Sequence, residues 1–268
     1  MLIGVIILLG VLGLALLAPL IAPRGPLQQT IRARLRAPLA RTDGSTNLLG
    51  TDHLGRDIFS RVVYGARVSL FVGLTAALGA SLVGMTVGLL AGYYGGPLGV
   101  VVGRLTDLQL ALPLVLLALA VVALVGPSLV NIITVFTLTS WPAYARVIRG
   151  SVLRVKAVEF IEGARAAGAG ESRIIVRHIL PNVLTSVIVL TSFDVARMIQ
   201  LEAALGFLGL GVPPPTPTWG NMLADGREYI RDAWWVSTFP GVAIMLTAAG
   251  INFVGDGLRD MLDPRLKE

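Results

Sequence analysis

No charged residue interrupts the stretch from Leu110 to Ala145, and this feature narrows the possible architectures more than any other. At about 1.5 Å per residue, one helix of that length would far exceed a bilayer core of roughly 30 Å. The run must therefore fold back, and Gly126-Pro127-Ser128 supplies the turn. Two spans result, one kinked near Pro113 and one ending near Trp141-Pro142. In lipid both must be helical, because a helix satisfies its own backbone groups where water cannot.

The rest of the chain fits the same solvent. Leu2 to Ala22 and Val68 to Gly92 are also free of charge, a fifth span starts near Asn182, and a sixth runs from about Ala233 to Gly255. Only 14% of the residues are charged, against about 25% in soluble domains. The expected fold class is an all-α integral membrane protein with six transmembrane helices, which puts both termini on one side. A cleaved signal peptide is the rival reading of the first run, but the basic leading region is missing.

Without cysteine there are no disulfides, thiol nucleophiles or thiolate metal ligands. A net charge of +6 in such a chain points to lipid headgroups and partner surfaces, and no basic stripe interleaved with aromatics suggests nucleic acid. Basic residues do not settle orientation. With the N-terminus inside, eleven lysines and arginines face the cytoplasm and ten face outward, with Arg197 inside the fifth span.

One segment stands apart in composition: Glu162 to Asn182, EGARAAGAGESRIIVRHILPN. Alanine, glutamate and arginine favour helix, and Gly168-Ala169-Gly170 breaks it, so two short helices at an angle are expected. Gly163, Ala164, Ala166 and Ala167 leave the first helix with little bulk, flanked by Glu162 and Arg165 for polar anchoring. That suits docking into a partner's groove.

At these residues the chain resembles the permeases of bacterial ABC importers. The pattern is an acid and two small residues, a glycine four positions after the second, and an apolar segment closing on Leu180-Pro181. The family has Glu-Ala-Ala where this chain has Glu162, Gly163 and Ala164. His178-Ile179-Leu180-Pro181-Asn182 is similar to the dipeptide, oligopeptide and nickel importer branch. The likeness extends over Leu49 to Asp57, Phe207 to Gly211, Trp219-Gly220, Gly257 to Asp260 and Asp263-Pro264-Arg265.

The resemblance implies a type I ABC importer permease fold with a cytoplasmic coupling helix, in a bacterial or archaeal cytoplasmic membrane with both termini cytoplasmic. Its parts would be a first transmembrane helix (1–22), an extracytoplasmic segment with an amphipathic helix returning to the bilayer (23–66), and a five-helix core (67–268) holding the coupling loop (156–182). The implied partners are a second homologous permease, two ABC ATPase subunits and an extracytoplasmic solute-binding protein, besides the lipid bilayer. ATP and Mg would be used by the ATPases, with no cofactor bound by this chain. The coupling residues would be Glu162, Gly163, Ala164, Arg165, Gly168, Leu180 and Pro181. Relatives usually carry a short polar segment before the first span, so a truncated start is expected.

Other candidates follow from physics. Asp194 and Arg197 sit at i, i+3 on one helix face, where charges at membrane depth need a partner or a wet cavity. Two readings stand for the pair: it lines a passage for a zwitterionic solute, or it is a structural ion pair. Glu202, the third candidate for the translocation pathway, lies nearer the outer end. Ala80, Gly84, Gly88 and Gly92 recur every four residues and form a face for close packing, against a second permease or within the chain's own bundle. Asp52, His53 and Asp57 raise the question of a metal, but capping and ion pairing with Arg56 and Arg61 is the alternative. The loop GVPPPTPTWG, Gly211 to Gly220, is a rigid extended strap, a gate, a contact for a binding protein or plain loop stiffness, and Trp234 and Trp235 are expected at an aromatic belt.

No G-x-x-x-x-G-K-[ST] phosphate loop is present, so ATP hydrolysis is not expected in this chain. An ion-gradient-driven secondary transporter is the other functional reading. Such carriers usually show deep charges in both halves, whereas here they cluster in one span.

Overall fold

The computed structural model describes residues 1–42 and 45–262. Asp263-Pro264-Arg265 and Lys267, used above in the motif and the charge count, lie outside the described residues. Eleven α-helices carry the described chain: α1 (Leu2–Leu16), α2 (Ala18–Ile21), α3 (Ile58–Tyr94), α4 (Gly96–Leu110), α5 (Leu114–Val125), α6 (Leu129–Lys156), α7 (Glu159–Ala166), α8 (Glu171–Ile174), α9 (Leu180–Phe207), α10 (Trp219–Gly226) and α11 (Trp235–Leu262). The extended structure is a two-residue antiparallel pair, β1 (Arg41–Thr42) with β2 (Ser45–Thr46), in the segment before α3.

Three helical stretches are long and apolar enough to cross a bilayer: α3, the stretch Glu171–Phe207 and α11. A fourth crossing is available if α4 and α5, bent by 88° at their break, count as one. The expected turn at Gly126 is in place, with Gly126 at φ +89 and the Ser128 side chain accepting from the Asn131 amide at 3.1 Å. The expected kink near Pro113 is a full break instead. Proline cannot donate to the carbonyl four residues back, and the residue before it avoids helical angles. Arg104 lies within α4. The first run also divides, at Leu17 just before Pro19, so α1 is only 15 residues long.

α3 begins where Asp57 caps it, accepting from the Ser60 amide and hydroxyl at 2.8 Å each. Its largest interface is with α6, along the stripe of Ala80, Gly84, Gly88 and Gly92. All four are buried, and the three glycines pack against α6 of this chain. A Cβ at Gly84 would lie 2.5 Å from the Trp141 carbonyl oxygen, and one at Gly88 would lie 2.6 Å from that of Ala145. Two apolar cores flank this seam. One joins α3, α5, α6 and α9 around Val72, Val122, Phe136 and Met198; the other joins α3 and α6 to the α7 region around Ile148, Ile161, Ile174 and Ile179.

Two expectations for the opposite end need correction. The strap ends not in a loop but in α10, whose first turn is capped by Thr218, and Trp219 is buried with its Nε1 donating to the Val62 carbonyl at 3.0 Å. Trp235 is not at a lipid belt: it is 7% exposed and donates to the Thr51 carbonyl at 3.1 Å, while Trp234 remains half exposed.

Candidate functional site

Glu159–Ala166 follows the C-terminal end of α6, with Glu159 and Glu162 in its first turn and Arg165 in its last, each complementing the helix dipole. Its C-terminus is closed by two backbone bonds, Gly168 N–H to the Arg165 carbonyl and Ala169 N–H to the Ala164 carbonyl, both 3.0 Å. This is the Schellman pattern, which needs a left-handed residue at the position Gly168 occupies with φ +82. Glu162, Gly163, Arg165, Ala166 and Ala167 are exposed, and a Cβ added at Gly163 would meet nothing within 4 Å. The opposite face is anchored by Ile161, which is fully buried among Ile174, Ile175, Ile179 and Ile148.

The second helix of the segment is not short. α8 runs through a π-helical turn, Ile175–Ile179, into α9, forming one stretch from Glu171 to Phe207. Pro181 explains the widened turn: without an N–H it leaves the Arg177 carbonyl without its ordinary partner, and the ladder shifts. The Asn182 side chain then donates to the His178 carbonyl at 2.6 Å.

In α9 the Arg197 guanidinium meets the Asp194 carboxylate at 2.6 Å. Asp194 is 7% exposed and Arg197 45%, so the pair has a dry end and an open end. The Tyr144 hydroxyl of α6 donates to the other Asp194 oxygen at 3.0 Å. Tyr144 also sits in the apolar core that holds Ile161, so one packed cluster links α7 to the Asp194 pair. Nothing in the sequence pointed to Tyr144. Glu202 is apart from this group: it is fully buried, and its Oε2 accepts from the Ser69 hydroxyl of α3 at 2.9 Å.

Just before α3, Asp52 accepts from Arg56 Nε at 2.6 Å, Arg61 Nη1 at 2.5 Å, and the Leu54 and Arg56 amides at 2.9 Å each. Asp225 of α10 completes the network, 3.0 Å from both guanidinium groups. Burial alone would raise the Asp52 pKa, but Arg61, Arg56 and the two amides outweigh it and hold the carboxyl below its usual range. Asp52 and Asp57 thus serve in pairing and capping. His53 has a ligand atom within 4.8 Å of Asp52 and Asp225, but two arginines already occupy both carboxylates.

Residues 84–268 match the profile of the family described as binding-protein-dependent transport system inner membrane component. The dipeptide transport system permease protein DppC of Escherichia coli (strain K12) is 46% identical, covering 99% of this chain and 89% of that protein. The di/tripeptide transport system permease protein DppC of Pseudomonas aeruginosa (strain UCBPP-PA14) is 44% identical, over 98% of this chain and 88% of its own length. Among solved structures, the MetNI methionine ABC transporter in an inward-facing conformation aligns with a TM-score of 0.62 at 20% identity, over 75% of this chain and 96% of that one. This chain belongs to the family of inner-membrane components of binding-protein-dependent transport systems.

Proposed function

We propose that the chain is a permease subunit of an ATP-driven importer of dipeptides, oligopeptides or related small solutes such as nickel complexes, forming half of the passage. In this reading α1, the bent α4/α5 pair, α3, α6, the stretch Glu171–Phe207 and α11 make six crossings with both termini in the cytoplasm. The divisions at 1–22, 23–66 and 67–268 follow from that path. A second homologous permease completes the passage, two ATPase subunits use ATP and Mg, and a solute-binding protein delivers cargo from outside. The peptide cargo is supported by the names of the 44–46% identical relatives.

The observation that carries the mechanism is the two-faced build of Glu159–Ala166, bare and exposed outward but fixed inward by Ile161. In this reading α7 is the coupling helix, and its small face sits in an ATPase groove. When the ATPase dimer closes, the groove moves. Ile161 transmits that motion to α6 and the start of α9, because packed cores shift as units rather than deform. Leu180 and Pro181 mark where the α7 region joins the spanning helix, and the Asp194 and Arg197 pair lines the passage.

Reconstituted vesicles containing the permease pair, its ATPases and a binding protein should take up a labelled dipeptide when ATP is supplied. Gly168→Val forces a β-branched residue into the left-handed region, costing about 1–2 kcal/mol and loosening the α7 terminus. ATP hydrolysis should continue while uptake falls roughly tenfold. Unchanged solute-stimulated hydrolysis and uptake would remove the docking role from α7, and uptake driven by an ion gradient without ATP would favour the secondary carrier.

Arg197→Leu tests the passage. Asp194 would keep Tyr144 but lose its countercharge in a half-dry site. Dipeptide uptake should drop by roughly tenfold or more while the purified complex keeps its subunits. Normal uptake in that variant would leave the pair as a structural one.

A further inference from the structure

Between α4 and α6 lies a cavity of about 160 Å³ lined by Val102, Gly103, Thr106, Asp107, Arg146 and Arg149, among others. Its volume exceeds the roughly 30 Å³ share of one water several times over. Arg149 is its unusual member. Its Nε is buried without an acceptor, and among the described residues its guanidinium has no ion-pair partner. Buried polar groups are nearly always satisfied, since desolvating a charged donor without replacing its water is costly.

The acid in the cavity lining is already engaged, because Asp107 pairs with Arg146, and both side chains are more than half exposed. The Thr106 hydroxyl donates to the Gly103 carbonyl at 2.8 Å. Glycine forms the wall beside the guanidinium: a Cβ at Gly103 would lie 3.3 Å from Nη1, and one at Gly99 3.5 Å from Nη2. Arg149 thus lies along bare α4 backbone beside the cavity, with Arg146 adding a second positive charge at its rim.

The position in the bundle indicates what would enter. Arg149 is seven residues before the end of α6 at Lys156, about 10 Å along the axis, at the end that carries α7. Leu98, Val101, Leu105 and Leu108 on the outside of α4 are exposed and apolar, as a surface against acyl chains would be. Basic pockets between spanning helices at such a boundary suit lipid headgroups.

We propose that the α4/α6 cleft is an anion site that seats a phosphate group at the membrane boundary, with Arg149 as its main ligand and Arg146 in support. The shared chemistry is the phosphate oxyanion, presented by an anionic phospholipid headgroup or by inorganic phosphate. The complex that contains this chain would be purified in mild detergent, as wild type, Arg149→Gln and Gly150→Leu. Gly150 lines the cavity, and a Cβ there meets nothing within 4 Å, so the substitution adds bulk at the cavity wall with no contact at the Cβ.

Native mass spectrometry with phosphatidylglycerol against phosphatidylcholine should show phosphatidylglycerol retained by the wild type and lost roughly tenfold by both variants, the scale of one hydrogen bond to a charged group. A rise in melting temperature with inorganic phosphate, absent in both variants and without any phosphatidylglycerol preference, would assign the site to the soluble anion. Equal phosphatidylglycerol retention in all three proteins, with no variant-sensitive phosphate shift, overturns the proposal. Should Arg149→Gln fail to fold, Gly150→Leu still decides.

Discussion

Gly88→Val is expected to stop the chain accumulating as a folded membrane protein, the largest single-residue effect the structure implies. In lipid, helices gain little from hiding apolar surface from one another, so α3 and α6 associate through close packing. That closeness depends on three glycines one turn apart. At Gly84 an added Cβ would lie 2.4 Å from the Tyr144 Cβ, at Gly88 2.6 Å from the Ala145 carbonyl oxygen, and at Gly92 2.8 Å from the Val152 Cβ. At Gly88 the obstacle is mainly backbone, which cannot rotate away as a side chain can. Even Gly88→Ala should cost about 1–3 kcal/mol by overpacking, and valine more, because both helices must part along the seam. The seam also positions Tyr144, so a partly folded variant should lose uptake as well. Fluorescence-detected size exclusion with a melting curve is the measurement. Gly13→Ala is the control, since a Cβ there meets nothing within 4 Å and helix propensity alone favours alanine. Wild-type yield and melting for Gly88→Val would mean that the α3/α6 contact is looser than described.

The features legible in the sequence were local ones. The turn at Gly126, the small-residue stripe and the break at Gly168 each depend on residue types within a turn or two of one another, where steric and capping rules act directly. The i, i+3 spacing likewise announced that Asp194 and Arg197 could meet, and they do. What escaped notice joins distant parts of the chain. Tyr144 and Asp194 are 50 positions apart, Arg56 and Asp225 169, Thr51 and Trp235 184. No periodicity encodes such pairs. The bent α4/α5 pair was missed for a different reason: charge-free runs mark lipid contact, but helix α4 continues through Arg104 and Asp107, because Asp107 pairs with Arg146 across to α6. The aromatic-belt expectation for Trp235 failed in the same way, since an indole that finds a buried carbonyl is held by the protein rather than by the interface.

Asp52→Asn should lower stability by about 3–5 kcal/mol, the usual cost of removing one partner from a buried ion pair. The carboxylate is fully buried and the two arginines it holds are 9% and 3% exposed, so in the variant two poorly hydrated guanidinium groups share the single, partly exposed carboxylate of Asp225. Asparagine can still accept the Leu54 and Arg56 amides, but its NH2 group then faces the two arginine donors that Oδ2 accepts, so charge and hydrogen bonds are lost together. Asp225→Asn should cost less, because that side chain is 29% exposed and solvent can take its place. The pH dependence has a definite sign. Folding lowers the Asp52 pKa from its ordinary value of 3.8, so the unfolded chain binds this proton more readily than the folded one. The stabilisation is therefore complete above 3.8 and is lost as pH falls through the lower, folded value. Other carboxyls titrate over the same range, so the informative quantity is the gap in melting temperature between wild type and Asp52→Asn. That gap should be constant from pH 7 to about 5 and should shrink steadily below 4. A gap that persists unchanged into strong acid would show that Asp52 acts by shape rather than by charge, and would detach α10 from the electrostatic anchor that Arg56 and Arg61 provide.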